Sequence, residues 1–290
     1  MRKFTSPITE IIYQRFSCRS YRRDPIVSEK LESLQAFIKT LPPGPFEKLR
    51  ATPFSAHQRF DLVAATETNG NSLRGLGTYG FIKNPPAFIV GAMFPSKYDL
   101  EDFGYLMEAI ILYATGLDLG TCWLGGTFTK SSFARKMKLN GNETMPAVTS
   151  VGEYANPEQK RQGISSRWAG SDRRLPWETL FFNETLDIPL RRDEADEYAK
   201  VLEMVRLGPS ASNKQPWRIV KYDSYWRFYL RRTPGYRKDL IKRILDLCDL
   251  QRLDMGIAMC HFALTTRELG LDGEWVVETD LNTIPDEMTE

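Results

Sequence analysis

The chain has 290 residues, enough for one large core or for two domains. Its 39 Lys and Arg residues against 37 Asp and Glu leave a net charge of +2, so no general field favours nucleic acid or an acidic membrane as partner. Four cysteines (Cys18, Cys122, Cys248 and Cys260) without metal-like spacing, and only two histidines, offer no zinc set, and reduced buried thiols are expected. Met1 to Ile12 lacks the apolar core of a signal peptide. The longest apolar run, Ala87 to Phe94, is too short to cross a bilayer, so a cytoplasmic protein is expected.

In chain order, Arg19-Ser20-Tyr21-Arg22-Arg23 places guanidiniums around a hydroxyl, a set suited to a phosphate monoester or simply to a solvated surface. A helix is predicted over Lys30 to Leu41, with Leu31, Leu34, Phe37, Ile38 and Leu41 on one face. Phe60 to Glu67 and Ala87 to Met93 read as strands, with Tyr79 and Gly80 in a glycine-rich loop between them. Phe103 to Thr115 is apolar almost all round, as a central helix packed on a counterpart would be.

The glycine-rich stretch Gly116 to Gly126 follows, with Trp123, Leu124, Gly125 and Gly126 at its end. Its glycines permit close approach of backbone to a ligand, or serve as a helix cap and turn. Ser131 to Met137 reads as a helix and Pro146 to Tyr154 as a strand. Asn156 to Trp177, rich in charge and glycine, reads as a surface connection carrying Arg173 and Arg174. A helix is predicted over Asp193 to Arg206, stopped by Pro209.

The loop from Gly208 to Trp217 carries Ser210, Ser212 and Asn213, short polar side chains that favour turns and leave backbone amides to an outside partner. Read alone, it is better explained as a helix stop and a turn. Trp217 to Tyr222 and Tyr225 to Arg231 form a predicted strand pair around Asp223-Ser224. Helices are expected over Leu240 to Leu247 and Leu253 to Leu269.

An internal repeat emerges when Lys30 to Leu41 is laid on Asp196 to Leu207 and Phe103 to Gly120 on Leu253 to Gly270; Pro43 then falls on Pro209. The halves differ in complementary ways. Pro43-Gly44-Pro45-Phe46-Glu47 replaces the polar loop in the first half, and Thr185, Leu186 and Ile188 stand where Arg19, Ser20 and Arg22 would fall in the second.

Three of these pieces (the Arg-Ser-x-Arg element, the Pro-Ser-x-x-Asn-x-Gln-Pro-Trp loop and the glycine-rich stretch) together resemble the FMN-dependent nitroreductase family. The resemblance implies an α+β nitroreductase-like fold with antiparallel-rich sheets flanked by helices. Here that fold would be a tandem-repeat pseudo-dimer of two intertwined halves, residues 1–170 and 171–290. It further implies FMN as cofactor, with Arg19, Ser20 and Arg174 at its phosphate and Arg22 there or at the pyrimidine edge. Trp123, Leu124, Gly125 and Gly126 would lie along the isoalloxazine, and Pro209, Ser210, Ser212 and Asn213 would close the site from the other half.

Cys18 departs from the family's first arginine, and Tyr79 and Gly80 are secondary candidates at the pocket mouth. By the same resemblance, NAD(P)H would reduce the flavin in a ping-pong cycle completed by a small acceptor such as a nitroaromatic or quinone. No side chain is then required as nucleophile, because the cofactor carries the redox chemistry. One composite FMN site per chain and a monomer are expected. The other readings on the same scaffold are a non-enzymatic flavin-binding or sensing protein and a flavin enzyme of different chemistry, such as reductive dehalogenation.

Overall fold

Seven apolar residues in a row make β2 (Ala87–Met93), every one of them buried, because the strand runs through the middle of a sheet covered on both faces. The computed structural model describes residues 4–41, 58–66, 70–156, 158, 174–236 and 248–277. Around β2 the sheet order is β1 (Gln58–Ala64), β2, β4 (Val148–Gly152) and β3 (Gly120–Leu124), and all three pairings are antiparallel. One face packs on α2 (Ser28–Lys39) and α3 (Asp99–Gly116) through Leu34, Phe37, Ile89, Phe103, Met107 and Ile110. The other packs on α4 (Lys130–Met137) through Phe88, Phe128 and Phe133. A short helix, α1 (Ile8–Gln14), lies against α3.

A second sheet holds β5 (Phe181–Asn183) parallel to β6 (Trp217–Lys221), which pairs antiparallel with β7 (Trp226–Leu230) as the strand pair expected around Asp223-Ser224. It packs on α5 (Tyr198–Arg206) and α6 (Leu250–Glu268). Among the described residues, the succession helix, two antiparallel strands, helix therefore occurs twice, as α2-β1-β2-α3 and as α5-β6-β7-α6.

The long helices of the two successions, α3 and α6, meet through glycine. A Cβ on Gly104 would stand 2.1 Å from the Leu253 carbonyl oxygen, and one on Gly256 would stand 2.0 Å from that of Glu101. Both positions demand the absence of a side chain. At the helix starts, Arg252 donates a forked pair to Glu101 at 2.7 and 2.6 Å, a charge-assisted clamp across the contact.

Several expectations change. Asp193 to Arg206 is not one helix: a 3₁₀ turn (Asp193–Ala195) ends at Asp196, whose φ of 50° breaks the run before α5. Residues 120–124, read as part of a glycine-rich turn, form a strand because β4 supplies their pairing. The sequence reading also missed α1 and β5. The predicted helix Leu240 to Leu247 lies outside the described residues, as do most of the connection Asn156 to Trp177 and the proposed boundary at 170/171. Cys18, Cys122 and Cys260 are buried free thiols, whereas Cys248 is only half-buried.

Candidate functional site

After α1 the chain runs along the open edge of β3. Ser17 pairs with Thr121, the Cys18 amide donates to the Thr121 carbonyl at 2.8 Å, and the Tyr21 amide donates to Lys83 O. Tyr21 anchors the segment from within, its hydroxyl donating to Cys18 O at 2.8 Å and lying 2.9 Å from Ser150 Oγ. Cys18 faces Gly120, and burial pushes its thiol up to about 11.

Arg19 is exposed, and its charge acts on Cys122 in β3. Ser20 is half-buried, its carbonyl accepting from Ala155 N. Arg22 turns outward between Glu153 and Asp24, 3.6 Å from each carboxylate.

A different arginine points inward. Arg15 closes α1, where a cation suits the helix C-terminus. It is 4% exposed, and its Nε and Nη1 find no hydrogen-bond acceptor among the described residues. The Glu108 carboxylate stands 4.0 Å from its Nε. Burial lowers the Arg15 pKa, and the Glu108 charge opposes that shift. Glu108 lies in α3, where it also accepts from Trp123 Nε1 at 2.8 Å and meets His261 Nε2 of α6 at 2.9 Å. Burial would raise the Glu108 pKa, but the contacts with His261, Arg15 and Trp123 outweigh it and hold the carboxyl below its usual range. Leu124 is buried beside this cluster's strand. Gly125 abuts Leu250 at the start of α6, where a Cβ would come within 2.7 Å, and Gly126 is exposed.

The polar loop follows α5. Pro209 and Ser210 are half-buried, while Ser212 and Asn213 are exposed. Ser212, Asn213 and Gln215 adopt φ of 50°, 56° and 47°, a left-handed conformation that costs each about 1 kcal/mol or more and persists only when held. The holding bonds are explicit. Asp254 of α6 accepts from Ala211 N at 3.0 and 3.1 Å, Ser210 Oγ accepts from Gln215 N at 2.9 Å, and Gln215 Oε1 accepts from Leu175 N at 2.9 Å. Asp254 is fully buried, and burial lifts its carboxyl well above the usual range.

Arg174 ties this loop to the rest of the site, donating to Asn213 Oδ1 at 2.7 Å and to Leu207 O at 3.1 Å. Burial holds its pKa down to about 10; the nearby charges of Arg15 and Arg206 push the same way, and Glu108 opposes them.

The arrangement joins Arg174 to the Pro209–Asn213 loop by hydrogen bonds, and Arg15 to Trp123 through Glu108. The electrostatic influence of Arg15 on Arg174 links the two groups. Arg22 remains with its carboxylates, and Tyr79 stands 70% exposed with a φ of 48° beside Gly80.

Comparison with known proteins gives the family of the chain. The model of a family described as "Putative TM nitroreductase" matches residues 7–266. The chain belongs to this nitroreductase family. A Thermotoga maritima protein described as a "putative nitroreductase" is similar over 93% of this chain and 88% of its own, at 19% identity and a TM-score of 0.55, a likeness of fold. A nitroreductase with bound FMN from Bacteroides fragilis is similar over 52% of this chain and 89% of its own, at 19% identity and a TM-score of 0.39. A Desulfovibrio desulfuricans structure described as a "putative nitroreductase in complex with FMN" covers 52% of this chain and 88% of its own, at 19% identity and a TM-score of 0.40. No curated protein matches the chain. Among the described residues, no helix is long and apolar enough to cross a membrane.

Sequence reasoning missed Arg15, Glu108, His261 and Asp254. The signal was present in three of them: Glu108 in α3 and Asp254 and His261 in α6 are ionisable residues flanked by apolar neighbours, and such residues are buried only when they have partners or a task. Arg15, just past a short helix, carried no such signal.

Proposed function

We propose that this chain is an FMN-dependent oxidoreductase of the nitroreductase type, with one composite flavin site built from two nitroreductase-like halves, residues 1–170 and 171–290. The observation that carries the proposal is Arg174: it hydrogen-bonds Asn213 of the polar loop while lying in the field of Arg15 from the N-terminal segment. Groups some two hundred residues apart thereby border one cationic, polar place. Arg15, whose Nε and Nη1 find no acceptor among the described residues, suits the phosphate of FMN, since a buried guanidinium gains most from a doubly charged acceptor. Arg19, Ser20 and Arg174 would complete that end, and Arg22 would reach it only by leaving Glu153.

Trp123, Leu124, Gly125 and Gly126 would border the isoalloxazine, with Pro209, Ser210, Ser212 and Asn213 opposite. The left-handed backbone of the loop supports a binding role, because strain of this kind is retained where a site needs it. The doubled succession of helix, two strands and helix supports the tandem organisation and a monomer that needs no second copy to complete the site. When bound, FMN would supply the redox chemistry, accepting hydride from NAD(P)H and passing electrons to a small acceptor such as a nitroaromatic or quinone. The protein's part is to place and polarise; no residue is assigned as acid, base or nucleophile.

The test is anaerobic titration of the FMN-reconstituted protein with NADH and with NADPH, followed by addition of a nitroaromatic or a quinone. Bleaching of the flavin by either nucleotide and its recovery on adding acceptor supports the reading. A bound flavin that neither nucleotide reduces identifies a flavin-binding protein instead.

A further inference from the structure

The carboxylate of Glu108 sits within reach of Arg15 and yet does not take it. Trp123 Nε1 donates to Glu108 Oε2 at 2.8 Å, and His261 Nε2 lies 2.9 Å from Oε1. His261 Nδ1 is 2.8 Å from the Met204 carbonyl, which can only accept, so Nδ1 carries a hydrogen. The contact between Nε2 and Oε1 must therefore contain a proton, and it fixes that oxygen on the imidazole. Arg15 Nε is left 4.0 Å away, beyond hydrogen-bonding range.

A guanidinium beside an unrestrained carboxylate forms a forked pair with it. Here both oxygens are engaged by other donors. The charge of Arg15 is compensated while its Nε and Nη1 find no acceptor among the described residues, an arrangement that costs stability unless something else uses them. The groups around the pair come from separate elements: Cys260 beside Glu108 on α6, and Cys122, Tyr154 and Arg174 around Arg15. Gly208, at the head of the polar loop, lies over the imidazole, a Cβ there coming within 3.7 Å of His261 Nδ1.

We infer that Trp123 and His261 are positioning residues: by holding the Glu108 carboxylate off Arg15, they keep the Arg15 guanidinium open to a phosphate monoester. This rests on the flavin reading for the identity of that ligand, and on the hydrogen bonds alone for the mechanism. Trp123→Phe removes the donor that pins Oε2 and so frees the carboxylate to turn toward Arg15, whose Nε lies 4.0 Å from Oε1. Glu108→Gln removes the competitor, since an amide oxygen draws a guanidinium far less than a carboxylate does. Adding Glu108→Gln to Trp123→Phe therefore reopens Arg15, a rescue that a purely structural role would not produce.

The experiment measures the dissociation constants of FMN and of riboflavin, which lacks the phosphate, by flavin fluorescence for the wild-type chain, Trp123→Phe and the double variant. The expected result is that the preference for FMN over riboflavin falls about tenfold or more in Trp123→Phe, as loss of one charge-assisted contact implies, and returns in the double variant. An unchanged preference in Trp123→Phe, or one that stays low in the double variant, overturns the inference. His261→Leu releases the other oxygen and serves as the single variant if Trp123→Phe does not fold. A wild-type chain that binds neither flavin overturns the flavin reading alone. The same comparison, read as the rise in melting temperature with inorganic phosphate, then decides the inference: a rise lost in the single variant and regained in the double supports it, and no difference among the three overturns it.

Discussion

Replacing Arg174 by methionine tests the bridge between the two parts of the site, because its effects on the empty protein and on ligand affinity have different expected sizes. Depression of the guanidinium pKa from 12.5 to about 10 corresponds to about 3 kcal/mol held against the charged form. Against this stand two charge-assisted bonds, to Asn213 Oδ1 and Leu207 O, of about 1.5–3 kcal/mol each. In the flavin-free protein the terms largely offset, so Arg174→Met should leave unfolding stability within about 1 kcal/mol of wild type or slightly below it. With FMN present the balance changes, since the phosphate supplies the counter-charge whose absence depresses the pKa. The variant should therefore bind FMN about ten- to a hundredfold more weakly, corresponding to about 1.5–3 kcal/mol. Urea unfolding of flavin-free protein and flavin fluorescence titration read the two quantities separately. A loss of more than about 3 kcal/mol in the empty protein with unchanged FMN affinity would show Arg174 to be a structural tether and refute the reasoning.

Gly256→Ala would place a Cβ 2.0 Å from the Glu101 carbonyl and 2.7 Å from the Tyr105 amide nitrogen, both backbone atoms. The two helices must separate, so urea unfolding should show a loss at or above the upper end of the roughly 1–3 kcal/mol typical of overpacking; a loss below about 1 kcal/mol would contradict the close α3–α6 contact. Asp254→Asn keeps an acceptor for the Ala211 amide and removes a carboxyl whose folded pKa burial raises above the usual 3.8. The raised pKa gives a contribution to stability that is fully present below about 3.8 and lost as pH rises through the folded value. The asparagine variant should therefore melt higher than wild type at neutral pH, an advantage that disappears in acid; a lower melting temperature at pH 7 would count against it. Arg22→Ala should weaken flavin retention less than Arg15→Lys does, because Arg22 is engaged at the surface by Glu153 and Asp24; equal losses on gel filtration would return Arg22 to the phosphate.

What the sequence made legible follows from how local its causes are. The strand Ala87–Met93 was readable to the residue because burial on both faces leaves an uninterrupted apolar run. The helix Leu250–Glu268 was readable because its pattern extends over nineteen residues. The strand Gly120–Leu124 was hidden: its glycine and threonine suggest a turn, and only pairing with β4 makes them extended. The seven residues of α1 are too few to hold a helix alone and depend on burying Ile8, Ile11 and Ile12. Asp196 broke a predicted helix by adopting φ 50° and ψ −132°, outside the helical regions, and Lys221, which lies 3.2 Å from its carboxylate, comes from a distant strand.

The site divides along the same line. The loop Pro209–Asn213 announced itself through proline and short polar residues, whereas Glu108 and His261 stand in two separate helices and neither points to the other. They lie 153 positions apart, and only the crossing of α3 and α6 brings them into hydrogen-bonding distance. The register of the arginines was misleading for a related reason. The pattern around Arg22 looked like a phosphate cradle, but the chain's pairing with Lys83 and Glu153 sends that side chain outward and leaves Arg15 facing in.

The flavin content of protein reconstituted with excess FMN and freed of unbound cofactor, measured from the visible spectrum of released flavin against chain concentration, tests the composite site most directly. The account predicts about one FMN per chain; a ratio near two would mean that each half binds its own flavin, and a ratio near zero that the assembled cations and the strained loop serve no flavin at all.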